Sequence, residues 1–260
     1  MGKVRTLVLR AAGTNCDQET TYAFQLVGSE AELVHINQLF RREKLLSDYQ
    51  ILVVPGGFTY GDDISAGKAL ANELKFRVAD QIQQFIDDGK LILGACNGLQ
   101  ALVKACCLPG IRGGLRQEVT LFNNDTGSFQ CQWVYLKVSD NSKCVFTKGL
   151  GGVIQLPIAN GEGKFVPADD ASLREMKERG QIVLQYCDRH GELTPDSNPN
   201  GSVEAIAGIC DPSGRVFALM PHPERYIHPT HHPRWTREGL KKEGDGVQIF
   251  RNAVEYAAKL

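Results

Sequence analysis

The run Lys90–Cys106, KLILGACNGLQALVKAC, limits the possible folds more than any other part of the chain. Leu91, Ile92 and Leu93 form an apolar run bounded by glycine, the pattern of a strand covered on both faces. Leu99, Leu102, Val103 and Cys106 then recur at helical spacing, so a helix follows with almost no connection. Between them stands Gly94-Ala95-Cys96-Asn97-Gly98. Glycines two residues before and after a nucleophile-type residue let strand and helix approach without Cβ clashes, the arrangement of a nucleophile elbow. The turn presents Cys96 at the C-terminal edge of a sheet, where open α/β folds bind their ligands.

The neighbouring segments agree with that architecture. Val4–Arg10, Glu32–Ile36 and Ile51–Val54 read as strands, Asp17–Val27 as a helix, and Ala69–Ile86 as one long helix carrying Leu70, Leu74, Val78, Ile82 and Ile86. Alternation of strand and helix predicts an open, mostly parallel sheet with helices on both faces. The second half predicts strands at 129–138, Ala205–Cys210 and Val216–Met220, the last two joined by the turn DPSG as a hairpin. It also predicts a short helix at Ser172–Arg179, a final amphipathic helix at Val247–Ala258, a surface loop at 226–245, and a small antiparallel strand region. With no repeat and no linker in 260 residues, the expectation is a single domain over 1–260.

Composition removes several functional classes. A net charge of −1 and the lack of a Lys/Arg tail argue against nucleic-acid binding. No stretch approaches the ~18 apolar residues of a membrane span. Eight cysteines without a CxxC pair indicate neither a disulfide framework nor a zinc site, and point to a reducing cytoplasm in which most are buried hydrophobes.

Cys96 differs because of its position. At a helix N-terminus, unpaired N–H groups and the positive dipole end favour a thiolate and can stabilise an oxyanion. A thiolate attacking a carbonyl needs a proton shuttle for the leaving group. Met220-Pro221-His222-Pro223-Glu224 supplies one: each residue before proline is pushed out of the helical region, and in an extended segment His222 and Glu224 face one way. The carboxylate then orients the imidazole. His228, His231 and His232 lie in a proline-rich loop without a carboxylate or cysteine at ligand spacing, so no metal is expected there. His35 ends a predicted strand and His190 lies in a polar loop. Upstream, Val53-Val54-Pro55-Gly56-Gly57 is a strand ending in glycines that let backbone N–H groups face a cleft.

Together, PGG, GxCxGxQ and HPE in this order resemble the class I glutamine amidotransferases. Within that class the chain resembles the glutaminase subunits of phosphoribosylformylglycinamidine synthases, through GTNCDQET (13–20), PGGFTYGDDISAG (55–67), GACNGLQ (94–100), PIANGEGKF (157–165), NGSVEAIAGICDPSGRV (200–216) and MPHPER (220–225). The resemblance implies a flavodoxin-like amidotransferase fold and a triad of Cys96, His222 and Glu224. It further implies an oxyanion hole of the Gly57 and Asn97 backbone N–H groups, with Gln100 near bound glutamine. Family members usually have His where Asn160 stands and a basic residue near Gln132.

The implied reaction hydrolyses glutamine to glutamate and passes ammonia to a large ATP-dependent synthetase of the PurL type, with a small bridging subunit of the PurS type. That synthetase converts formylglycinamide ribonucleotide to formylglycinamidine ribonucleotide. No cofactor is expected in this chain, and ATP and Mg are expected on the partner. Gly61–Ala69 resembles a P-loop only superficially, with one residue too many and Ala69 where Ser or Thr should bind Mg. The competing readings are a stand-alone cysteine-elbow amidase or hydrolase and a catalytically inactive regulatory subunit.

Overall fold

The computed structural model describes residues 2–111 and 116–260. In chain order the strands and helices are β1 (Arg5–Arg10), α1 (Asp17–Leu26), β2 (Glu30–His35), α2 (Ile36–Phe40), β3 (Ile51–Val54), α3 (Lys68–Arg77), α4 (Ala79–Asp87), β4 (Leu91–Ala95) and α5 (Asn97–Lys104). There follow β5 (Val119–Phe122), β6 (Gln130–Val138), β7 (Val153–Asn160), β8 (Lys164–Pro167), α6 (Asp170–Glu178), β9 (Ile182–Cys187), β10 (Ile206–Cys210), β11 (Val216–Leu219), α7 (Trp235–Glu238) and α8 (Val247–Ala257). Apart from the long helix over 69–86, the expected elements in the first half and the β10–β11 hairpin are present, with ends shifted by a residue or two.

One nine-stranded sheet carries the chain, in the order β2-β1-β3-β4-β11-β10-β9-β6-β7. From β2 to β11 neighbouring strands are parallel, and from β11 to β7 they are antiparallel. The antiparallel part is therefore four strands continuous with the main sheet, and β5 and β8 make a separate ribbon.

Strand alternation sorts the core into two layers. Leu52 and Val54 of β3 belong to one cluster with Leu70 and Leu74 of α3, Ile82 of α4 and Leu102 of α5. Ile51 and Val53 belong to the other, with Phe24 of α1 and Ile249 and Phe250 of α8. Both faces being covered explains why β3 and β4 are apolar throughout and fully buried. Among the described residues no helix is long and apolar enough to cross a membrane.

Two expectations are corrected. The single helix over 69–86 is two helices meeting at Val78, whose φ of −133° and ψ of 13° break the helical path. Positions four apart drift by about 40° per step on a helix of 3.6 residues per turn, so five such residues cannot stay on one straight face. The break at Val78 resets the phase and keeps Leu70, Leu74, Val78 and Ile82 buried. The segment 226–245 is also not wholly surface loop, because Tyr226, Ile227 and His232 are buried and α7 lies within it. Trp133 of β6 packs edge-on to Tyr226 and His232, at centroid distances of 5.1 and 4.8 Å.

Candidate active site

The parallel strands β1, β3, β4 and β11 are adjacent, so the segments leaving their C-terminal ends converge. These are the turn at 11–16, Pro55-Gly56-Gly57, the elbow at Cys96, and Pro221–Glu224. Cys96 has φ 49° and ψ −106°, a conformation that a side-chain-bearing residue adopts only when its surroundings hold it there. Two contacts do so. The Cys96 N–H donates to Leu219 O at 2.8 Å, and Gly98 lies so close to β3 that a methyl there would sit 1.9 Å from Val54 O. A methyl at Gly94 would meet Leu102 Cδ1 at 2.7 Å. The flanking glycines are therefore required by packing, and the side chain they aim is nearly buried, its Sγ 3.5 Å from Ala159 O.

His222 is brought to this point by β11, and its N–H donates to Pro157 O at 2.9 Å. Its backbone is extended, as expected. Glu224, however, lies in a 3-10 turn over Pro223–Arg225 rather than in a continued extended segment. The turn still delivers the pairing: Nδ1 of His222 and Oε1 of Glu224 are 2.6 Å apart, with both side chains almost fully buried. Burial opposes a charge on the ring, but the Glu224 carboxylate and then the Cys96 sulfur outweigh it and hold the imidazole well above its ordinary pKa. Among the described residues His222 Nε2 has no hydrogen-bond partner, which leaves it to serve a reacting group. Gly56 lies at the junction, where a methyl would come within 2.8 Å of His222 Cε1 and 3.3 Å of Cys96 Cβ.

Beside the thiol is a cavity of about 540 Å³ lined by Gly57, Phe58, Cys96, Gln100, Phe129 and Asn160, among others. Gly57 has φ 142° and its backbone is bridged to Thr14. Asn97 is the first residue of α5, so its N–H has no carbonyl one turn earlier to bond. Asn97 also clamps the preceding loop: its Nδ2 donates to Asp62 and to Gln100 Oε1, and its Oδ1 accepts from Thr59 N. Gln100 lines the cavity and donates Nε2 to Glu162 O at 2.7 Å. The P-loop-like segment spends its amides on carboxylates, Ala66 N on Glu162 and Gly67 N on Asp62. A larger cavity of about 760 Å³, against α8, is lined by Cys144 but by no histidine.

The structure thus brings Cys96, His222, Glu224, Gly57, Asn97 and Gln100 to one place. It leaves the other histidines elsewhere. His35 caps α2, His190 is in an exposed turn, His228 pairs with Tyr22 OH, and His232 packs on Trp133. Gln132 is exposed on β6 and bonds Gln130. Asn160 lines the cavity, buried, and neither of its side-chain polar atoms has a hydrogen-bond partner among the described residues. The residue that sequence reasoning missed is Cys16. Its sulfur lies 3.9 Å from His222 Nδ1 and accepts from Arg225 Nη2 at 3.2 Å. Cys16, His222 and Glu224 are the one set of His, Cys or acidic side chains, among the described residues, with ligand-type atoms within 4.8 Å of each other. The tight Nδ1–Oε1 hydrogen bond within it makes the set a proton-handling cluster. The available signal is Asn15-Cys16-Asp17, which carries part of the family resemblance without pointing to a role for its cysteine.

The CobB/CobQ-like glutamine amidotransferase domain model matches residues 3–257. The chain is 49% identical over 263 residues to the phosphoribosylformylglycinamidine synthase subunit PurQ of Dehalococcoides mccartyi, covering all of both chains. It is 44% identical to the PurQ of Methanococcus maripaludis, covering 98% of each. Among solved structures it is similar to a chain of PurLQS from Thermotoga maritima, with a TM-score of 0.75, 33% identity, and coverage of 98% of this chain and 99% of that one. It shares its fold with a glutamine amidotransferase from Thermotoga maritima, at a TM-score of 0.57 and 16% identity over 100% of both chains.

Proposed function

Because the chain belongs to the CobB/CobQ-like glutamine amidotransferase family, we propose that it is the glutaminase subunit of a phosphoribosylformylglycinamidine synthase, working with partners of the PurL and PurS types. The observation that carries the chemistry is the strained, glycine-flanked Cys96 beside the buried His222–Glu224 pair. Whole-length similarity to PurQ subunits and to a chain of a PurLQS assembly supports the choice of substrate and partners.

In the mechanism, the Cys96 thiolate attacks the side-chain amide carbon of glutamine. The N–H groups of Gly57 and Asn97 receive the oxyanion. His222, charged beside Glu224, gives its proton to the departing nitrogen, and ammonia leaves a glutamyl thioester. The neutral imidazole then takes a proton from water, whose attack on the thioester releases glutamate and restores the Cys96 thiolate beside a charged His222. Gln100 and the cavity wall hold the substrate. ATP and Mg bind the synthetase partner in this reading, supported by the carboxylates that occupy the amides of the Gly61–Ala69 loop. The match over 3–257 supports reading the chain as one domain. The eight free thiols support a place in a reducing cytoplasm.

The test is reconstitution. Glutamate release from glutamine should rise when PurL- and PurS-type partners and formylglycinamide ribonucleotide are added, with formylglycinamidine ribonucleotide formed in step. Glutamine hydrolysis indifferent to the partners would instead support a stand-alone hydrolase.

Glu224→Gln tests the orienting carboxylate. It should lower kcat by about 100-fold, within the range for losing a proton-transfer group's support. The direction with pH follows from the raised imidazole: without the Glu224 charge His222 loses its proton at lower pH, so the alkaline limb of the kcat profile moves down. An unchanged limb would remove Glu224 from the mechanism.

A further inference from the structure

Arg225 follows Glu224 directly and is half-buried, yet its guanidinium bonds a sulfur. Nη2 donates to Cys16 Sγ at 3.2 Å and Nε reaches Glu19 Oε1 of α1 at 3.4 Å. A thiol is a weak acceptor, whereas a carboxylate is the best partner a guanidinium can have. Such a carboxylate oxygen is close by in sequence: Glu224 Oε2 is buried and has no hydrogen-bond partner among the described residues. Cys16 cannot drift to relieve this, because its N–H is held by Gly56 O at 3.2 Å and Asn15 Oδ1 lies 3.3 Å from its sulfur.

We propose that Cys16 is a positioning residue of this site, whose sulfur occupies the Arg225 guanidinium and so reserves the Glu224 carboxylate for His222. The groups facing the imidazole are Cys16 from the turn after β1, Cys96 from the elbow, and Glu224 and, through Cys16, Arg225 from its own turn. Removing the sulfur leaves Nη2 without its inner partner. The Glu224 carboxylate on the adjacent residue then competes with Glu19 for the guanidinium, and a carboxylate shared with a permanent cation supports an imidazolium less well. The inference rests on the glutaminase reading above and adds to it how the orienting carboxylate is kept available.

The experiment is a double-mutant cycle on the full chain, assayed with its synthetase partners. Cys16→Ala should lower kcat about tenfold, within the range of coupling between groups of one hydrogen-bond network, leave KM for glutamine unchanged, and move the alkaline limb of the kcat profile to lower pH. In an Arg225→Gln background the same substitution should cost less than about twofold, because the competing cation is gone. Cys16→Ser, which keeps an acceptor for the guanidinium, should retain most of the activity. Cys16→Val, which fills the site without offering an acceptor, carries the same cycle if the alanine variant does not fold. Equal losses in both backgrounds would make Cys16 a packing residue only, and no loss in either would remove it from the site. Failure of the unsubstituted complex to consume glutamine would overturn the glutaminase reading itself, and is distinguished by that control.

Discussion

Cys96→Ala will abolish glutamine-dependent synthesis in the reconstituted complex and leave ammonia-supported synthesis intact. The elbow exists to hold this one side chain. Alanine removes the sulfur but keeps a Cβ, so it places no new atom against Gly56 or Ala159. The fold and the docking surfaces should therefore survive, and the loss belongs to chemistry alone. No second thiol can substitute: Cys16 lies beside His222, but burial raises its pKa above the ordinary range of a thiol and Asn15 and Arg225 hold it. A nucleophile acting as a unit with its base accounts for nearly the whole catalytic effect, so glutamine turnover should fall by roughly 10⁴-fold or more. The measurement is product formation with glutamine or with ammonium as nitrogen donor. Residual glutamine-dependent turnover within tenfold of the unsubstituted complex would remove Cys96 as nucleophile. Loss of both donors would mean that the substitution disturbs the partner.

Much of this site was legible in the sequence because its parts are local. Strand, glycine, cysteine, glycine and helix occupy consecutive positions, and the two prolines around His222 restrict the backbone without help from distant residues. What the sequence hid depends on contacts between segments far apart in the chain. Cys16 and His222 are separated by 206 residues and meet only because β1 and β11 lie in one sheet near β3 and β4. The buried Lys104, which bonds Ser65 Oγ and Ala66 O and reaches the Glu162 carboxylate at 3.5 Å, is another such case, since its helical position alone reads as an exposed charge. The break at Val78 was hidden for a different reason. A four-residue apolar repeat looks like one helix until its angular drift is summed. The segment 226–245 misled through its composition, since the buried Tyr226, Ile227 and His232 among many polar residues are invisible to an average.

Gly98→Ala should be the most destabilising single-methyl change at this site, because three constraints meet there. The added Cβ would lie 1.9 Å from Val54 O, 2.9 Å from Val54 C and 3.4 Å from Val54 Cβ. These are atoms of the strand backbone and Cβ, which no rotamer change can move. Nor can β3 shift, since it is bonded in parallel register to β1 on one side and β4 on the other. Nor can α5 retreat freely, since Leu99, Leu102 and Val103 bury its face in the core beneath. The alternatives are to lift the start of α5 or to bend β3, and either alters the Cys96 conformation that the packing sustains. Overpacking against fixed backbone costs at least about 3 kcal/mol, which for a chain of this size lowers Tm by roughly 6–12 °C. Glutaminase activity should fall more steeply than stability, because the thiol moves before the sheet unfolds. Gly151→Ala is the control: a methyl there meets nothing within 4 Å, and it should leave both Tm and turnover unchanged. A Gly98→Ala protein with unaltered Tm and full glutamine turnover would show that strand and elbow are not packed against each other, and the account of how Cys96 is held would fail with it.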